Sequence, residues 1–299
     1  MTTLDLAQLT ALAAAVEEGS FDAAARRLHV TPSAVSQRIK ALESQTGRIL
    51  VRRSRPTRPT DAGQVLVRLA RQLTLLESEA FARLSDDAAD PEGLRLRLPV
   101  AVNADSVATW FLDALATVPQ RHVATFDIRQ EDQDHSIALL RDGSVMAAVT
   151  TEPRAVQGCR VERLGAMRYR AVVSPEFHSR YFADGPTADA LHAAPMLVYN
   201  RKDALQSRFA ELLTGVRPDP PVTYLPSSTG FVDAARLGLG WGMVPEQLAA
   251  PGIDAADLVE LAPGRTMDVP LYWQRWRLES SSLAALTDAV KRQAQASLR

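Results

Sequence analysis

A single cysteine, Cys159, is all that this sequence of 299 residues offers. One thiol can form neither an internal disulfide nor a multi-cysteine zinc site, and a reducing cytoplasm is its natural home. The five histidines (His29, His122, His135, His178 and His192) lack the spacing of a zinc-binding helix. Neither a phosphate-binding P-loop nor a G-x-S-x-G nucleophile elbow occurs. Gly238, Gly240 and Gly242 follow a helical stretch instead of opening one, so they read as close backbone packing and not as a dinucleotide fingerprint. No metal, no cofactor and no catalytic group is therefore expected, and an α/β hydrolase or transferase stays an alternative without a motif behind it. No apolar run reaches about 18 residues, so no membrane span is expected. The opening stretch MTTLDLAQLTALAAAVEEGS carries acids and no basic region ahead of its apolar run, unlike a signal peptide. That, with the basic block described next, argues against a secreted solute-binding component.

What is present begins with charge. The net charge is −1, yet residues 26–58 hold nine Lys and Arg against one acid, Glu43. A basic block on an otherwise acidic chain suits a polyanionic partner. Basic surface helices are common, however, and charge alone does not decide. Hydrophobic residues make up 46% of the chain, enough to bury real cores, and the length allows two domains.

The basic block has a local architecture. LDLAQLTALAAAVEEGS reads as a helix with Leu4, Leu9, Leu12 and Val16 on its apolar face and Gly19 at its end. Ser20 caps a second helix, FDAAARRL, with Asp22 in its first turn. Thr31 and Pro32 begin a third, predicted to run to about Gln45 before Gly47. The turn between the second and third helices is very short, as in a helix-turn-helix whose second member enters the major groove. Ala34, Val35, Ile39 and Leu42 can pack inward, while Ser33, Ser36, Gln37 and Lys40 recur on another face, suited to base edges and phosphates. The helices alone fit an ordinary three-helix packing unit equally well. The next segment, RILVRRSRPTRPTDAG, favours the DNA reader: Arg52, Arg53, Arg55 and Arg58 sit among prolines that keep the chain extended, which makes a basic wing.

From Thr60 or Asp61 a long helix is predicted, with Ala62, Leu66, Leu69, Leu73, Leu76 and Ala80 in an a/d heptad seam. Such a helix can pack on its own C-terminal domain; the heptad spacing favours a homodimer instead, which would read two half-sites. DDAADPEG then breaks the helix. With these motifs in hand, residues 1–90 resemble the DNA-binding end of LysR-type transcriptional regulators, a winged helix-turn-helix followed by a linker helix. The run GSFDAAARRLHVTPSAVSQRIKALE is similar to that family's signature. On the residues and the resemblance together, Thr31, Pro32, Ser33, Ser36, Gln37, Lys40, Arg52, Arg53, Arg55 and Arg58 are the candidate DNA-binding residues.

The remaining two hundred residues alternate strand and helix. Strands are predicted near Leu94–Val102, in HVATFDIRQ and in SVMAAVTTE, with helices from about Ser106 and in DQDHSIALLRDG; this order points to a mostly parallel sheet. Asn103, Asp105 and Ser106 lie in a polar turn between a strand end and a helix start, a ready place for an anion such as a carboxylate. Thr150, Thr151 and Glu152 form another polar strand end, although a lone glutamate is more often a solvated loop acid. Ser227, Ser228 and Thr229 offer a further helix N-terminus. Cys159 reads as a packing residue. Two α/β lobes with facing polar strand ends would enclose a cleft.

This half is similar to the two-lobed, periplasmic-binding-protein-like effector domain of the LysR type, so the resemblance spans the chain. It implies domains at 1–60, 61–90 and 91–299, with one lobe at about 91–166 and 273–299 and the other at about 167–272. VNADSVATWF, VTTEPRAVQGCRVERLGAMRYRAV, GLGWGMVPE and PLYWQRWRLES resemble the branch called LysG or ArgP, which controls basic amino-acid export. The resemblance implies lysine or arginine as effector and an exporter gene as target; a LysR-type regulator of another operon with another effector is the alternative. It also implies promoter DNA, further copies of this chain up to a tetramer and RNA polymerase as partners, in the cytoplasm. For such an effector, Ser106, Ser228 and helix amides suit the carboxylate; Asn103, Asp105 and Thr151 suit the ammonium group; Asp105 or Glu152 suits a side-chain cation.

Overall fold

A computed structural model describes residues 3–52, 54–84, 97–119, 125–130 and 133–299. Arg53, His122, the helix-breaking stretch at 86–93 and the first residues of the strand expected from Leu94 lie outside the described residues.

The N-terminal helices follow their caps. α1 (Leu6–Glu17) starts on Asp5, whose carboxylate accepts from the amides of Ala7 and Gln8. α2 (Phe21–Arg27) starts on Ser20, whose hydroxyl accepts from Ala23 N at 3.1 Å. α3 (Pro32–Thr46) starts on Thr31 and ends at Gly47, which takes the left-handed conformation at φ 64°. Leu9, Leu12, Ala24, Val35, Ile39 and Leu42 fill one core beneath these helices. A two-stranded wing follows, β1 (Val51–Arg52) antiparallel to β2 (Arg58–Pro59). Glu43, the one acid of the basic block, holds this wing by accepting from Leu50 N at 2.8 Å. Thr57 N donates to Gly19 O at 2.7 Å and ties the wing to the turn before α2.

α4 (Asp61–Leu84) is the long helix, and Thr60 is its cap: its hydroxyl accepts from Gly63 N at 3.1 Å. Gly63 is required here because a Cβ would stand 1.9 Å from the Leu50 carbonyl oxygen. Ala62, Leu66, Leu69 and Leu73 of the heptad seam pack on the N-terminal core but are only partly buried, whereas Val67 and Ala70 beside them are fully buried. Val65, Phe81 and Leu84 remain exposed.

The second half is a pair of α/β lobes. β3 (Arg97–Val102) leads into α5 (Ala104–Ser106), a π-helical turn at Val107–Phe111 and α6 (Leu112–Ala116). β4 (Thr125–Gln130), α7 (Gln133–Asp142) and β5 (Ala147–Thr150) complete the first lobe's βαβ units, with β3 parallel to both neighbours. β6 (Cys159–Val173) then leaves this lobe for the other. There the chain forms α8 (Pro175–Tyr181), α9 (Ala188–Ala193), β7 (Met196–Val198), α10 (Leu205–Thr214) and β8 (Val222–Tyr224). α11 (Ser228–Arg236), β9 (Gly242–Pro245), α12 (Glu246–Asp254) and β10 (Val259–Glu260) follow. β11 (Thr266–Trp276) returns antiparallel along the whole of β6, and α13 (Ser281–Ser297) packs on α6.

The main sheet has seven strands in the order β10-β6-β11-β5-β3-β4, with β9 also on β6. It is mixed where a mostly parallel sheet was expected, because β6 and β11 carry the chain across and back and so run antiparallel to each other. β7 and β8 pair in parallel. The Gly238–Gly242 run packs closely, as its sequence context indicates: a Cβ at Gly240 would lie 2.8 Å from Pro195 O. Buried Trp110, Phe111, Trp273 and Trp276 anchor the first lobe's core. That much buried aromatic surface holds the strand ends around the cleft in fixed positions.

Candidate functional site

Two surfaces carry chemistry. The first is the outer face of α3. Val35, Ile39 and Leu42 are fully buried, which turns Ser33, Gln37 and Lys40 outward; Ser36 is half-buried on the same side. These residues are spaced i, i+3, i+4, i+7 and so share one face. Thr31 and Pro32 are exposed at the helix start, and the Thr31 hydroxyl is engaged in accepting from Ala34 N at 3.2 Å. Arg52, Arg55 and Arg58 are exposed on the wing beside them. The arrangement joins polar side chains able to reach groove edges with guanidiniums able to reach phosphates.

The second surface is a cleft of about 620 Å³ between the lobes. That size suits a small organic ligand. Asn103 and Asp105 enter it from the end of β3 and the start of α5, and Thr150 and Thr151 from the end of β5. Ser228 enters from the N-terminus of α11. Three other expected residues do not line it. The helix after β3 starts at Ala104, two residues before the expected start, and Ser106 is turned into the core with no exposure. Ser227 is spent as the cap of α11, accepting from Gly230 N at 3.0 Å. Glu152 accepts from Arg154 N at 2.9 Å and lies 3.6 Å from the Arg154 guanidinium, a local loop pairing.

The cleft also holds residues that sequence reasoning missed: Gln130, Tyr169, Tyr199, Asp203 and Gln206. Tyr169 sits on the crossing strand β6 and donates its hydroxyl to Asp105 Oδ2 at 2.6 Å. Gln130 Nε2 donates to the Tyr199 hydroxyl at 3.2 Å, a bond from one lobe to the other. Asp203 accepts from Tyr199 N and Leu205 N, which fixes the turn before α10. One signal could have found it: NRKDAL is another polar turn between a strand and a helix, like NADS and PSST.

Burial pushes the Asp105 carboxyl up from the ordinary aspartate range. The Ser228 hydroxyl and the Tyr169 hydrogen bond oppose that rise, while the negative charge of Asp203 adds to it. Ser228 Oγ lies beside this carboxylate without a well-formed hydrogen bond. Burial and the Asp105 charge push the Tyr169 hydroxyl well above its usual value, so it stays a proton donor. Asn103 Oδ1 and Gln206 Oε1 are buried acceptors with no partner among the described residues. Buried acceptors without donors are costly, so N–H groups on a ligand would suit the two gathered here beside two carboxylates, in a cleft whose lining also includes Lys202 and Arg208.

Cys159 opens β6, is buried, and has its thiol pushed up to about 11 by that burial, with Arg68 and Arg277 opposing. It is a packing residue and not a reactive thiol. Among the described residues no cluster of three metal-ligating side chains forms, and no helix is long and apolar enough to cross a membrane.

Comparison with known proteins gives a family. Residues 6–64 match the model of bacterial regulatory helix-turn-helix proteins of the lysR family, and residues 91–295 match the LysR substrate binding domain. The chain is 51% identical over 291 residues to the HTH-type transcriptional regulator LysG of Mycobacterium tuberculosis, covering 96% of this chain and 93% of that one. It is 46% identical over 288 residues to the lysine export transcriptional regulatory protein LysG of Corynebacterium glutamicum, covering 95% of each. Full-length LysG from C. glutamicum with bound effector Arg superposes with a TM-score of 0.80 at 42% identity, over 99% of this chain and 100% of that one.

Proposed function

The chain belongs to the LysR family of DNA-binding transcriptional regulators, and from that premise we propose that it senses lysine or arginine and controls an amino-acid exporter gene. The observation that carries the effector class is the buried Asp105 carboxylate, oriented by Tyr169 and set beside the unpartnered acceptors Asn103 Oδ1 and Gln206 Oε1. A basic amino acid brings two cationic groups and many N–H donors to such a site. The N-terminus of α11 at Ser228, with Thr151, takes the carboxylate; Asp105 takes a cation. Of the two acids considered for that cation, Asp105 lines the cleft and Glu152 is engaged outside it. The arginine carried by the C. glutamicum relative and the lysine-export role in that relative's name support the same class.

In this reading residues 1–60 bind the promoter, 61–90 link, and 91–299 bind the effector in the cytoplasm. The chain assembles as a homodimer through exposed parts of α4, and as a tetramer on DNA. Effector reorients the lobes at about 91–166 with 273–299 and at about 167–272, the assembly changes shape, and DNA bending and access for RNA polymerase change with it. Titration calorimetry with arginine, lysine, histidine and leucine tests the effector; equal affinity for leucine and arginine rejects a basic-amino-acid sensor. Footprinting of the chain's own upstream intergenic DNA, with and without arginine or lysine, tests the target.

A further inference from the structure

Arg71 stands where three parts of the molecule meet. It leaves α4 and its Nε donates to Glu17 Oε1 on α1 at 2.8 Å. One terminal nitrogen of the same guanidinium donates to the backbone carbonyl of Asp142 at 2.9 Å and to Ser144 Oγ at 3.1 Å, both in the first lobe. The side chain is only 13% exposed, so this is not a solvated surface pair. Leu75 of α4 is buried in that lobe's core, and two further polar side chains fasten the helix to it. Arg68 donates to Gln157 O at 2.8 Å and lies over the Trp276 ring, and Glu79 accepts from the first residues of α13. Of these three polar side chains, Arg71 is the one that also holds α1 among the described residues.

What lies beyond each end of the contact gives it meaning. Asp142 is the last residue of α7, and Ser136, near the other end of that helix, lines the cleft. From Ser136 to Asp142 the helix rises about 9 Å, so one element runs from the ligand site to Arg71. On the opposite side Glu17 also pairs with Arg27 of α2, the helix that precedes the DNA-reading helix. Burial pushes the Glu17 carboxyl up, but Arg71 and Arg27 outweigh it and hold it ionised.

We propose that Arg71 is the coupling residue of this regulator, passing a displacement of α7 at the cleft to α1 and α2 through Glu17. Its hydrogen bonds to Asp142 O and Ser144 are directional and fail beyond about 3.5 Å, so a shift of about an ångström at the end of α7 changes how Arg71 is shared between the lobe and Glu17. The inference rests on the effector reading above.

The test uses the full chain with Arg71→Gln and, on the lobe side alone, Ser144→Ala. Three quantities are measured: arginine affinity by calorimetry, affinity for the promoter fragment that the wild-type chain protects, and the ratio of DNA affinities with and without arginine. Both variants keep arginine affinity within about twofold of wild type while the ratio moves at least threefold toward one. A ratio that stays at the wild-type value in a folded variant overturns the proposal, as does a loss of arginine affinity as large as the loss of response. If Arg71→Gln fails to fold, Ser144→Ala carries the decision. A wild-type chain whose DNA binding ignores both arginine and lysine instead condemns the effector reading.

Discussion

Replacing Asp105 with asparagine keeps the shape of the cleft and removes one charge. The carboxylate is fixed by its place in the first turn after β3 and by the Tyr169 hydroxyl at 2.6 Å. Its pKa is raised from 3.8, mainly by burial. The protein without ligand therefore binds a proton at Asp105 more tightly than the unfolded chain does. The stability this site lends is complete below 3.8 and is lost as pH rises through the raised folded value. A cation in the cleft reverses the preference, because it interacts favourably with the ionised form. Effector affinity must then weaken as pH falls through that same raised value. A hydrogen bond to a charged partner contributes about 1.5–3 kcal/mol, which is about 10- to 150-fold in Kd. Asp105→Asn is expected to weaken arginine and lysine binding by that factor and to flatten its pH dependence. At neutral pH the ligand-free variant should melt no lower than wild type. Calorimetry from about pH 5 to pH 8, with thermal melts in the same buffers, gives both readings. Wild-type affinity together with a wild-type pH slope in the variant refutes the assignment.

Three further outcomes can be checked. Gln37→Ala should cost about 1–3 kcal/mol of operator affinity and relax preference at one base position, whereas Arg55→Ala should weaken all duplexes alike and reduce the salt slope by about 1; fluorescence anisotropy across salt concentrations separates the two. Gly63→Ala drives a Cβ to 1.9 Å from the Leu50 carbonyl oxygen, so the N-terminal domain should lose about 1–3 kcal/mol or more in denaturant titration; a wild-type midpoint would mean that the backbone there yields easily. Ile39→Ala empties a fully buried site under α3 and should cost about 2–5 kcal/mol by the same assay, with arginine binding by the distant cleft unchanged.

The parts of this molecule that were legible are the ones decided by neighbours in sequence. Ser20, Thr31, Pro32 and Gly47 mark the helix ends of the DNA reader, and each acts where it stands. Asn103 and Asp105 were legible for the same reason: a strand end followed at once by a helix start is a local pattern. Tyr169 was not, because its partner Asp105 is 64 positions away and a tyrosine alternating with arginines in a strand reads as core. The heptad seam was visible, but its period says nothing about which surface meets it; Ala62, Leu66, Leu69 and Leu73 pack in part on the N-terminal core and keep part of their surface open. The start of α5 lies two residues earlier than expected, and Asn103 at its cap position makes no side-chain capping bond to mark it. Ser106 is then the last residue of α5 and fully buried.

β6 and β11 stay bonded to each other from one lobe to the other, with a single shift in register between Leu271 and Tyr272. Movement between the lobes that only twisted this ladder would leave its backbone pairing in place. A ladder that twists returns to its first shape without passing through an open, unpaired intermediate. An effector-binding half that moved in this way would reset without local unfolding.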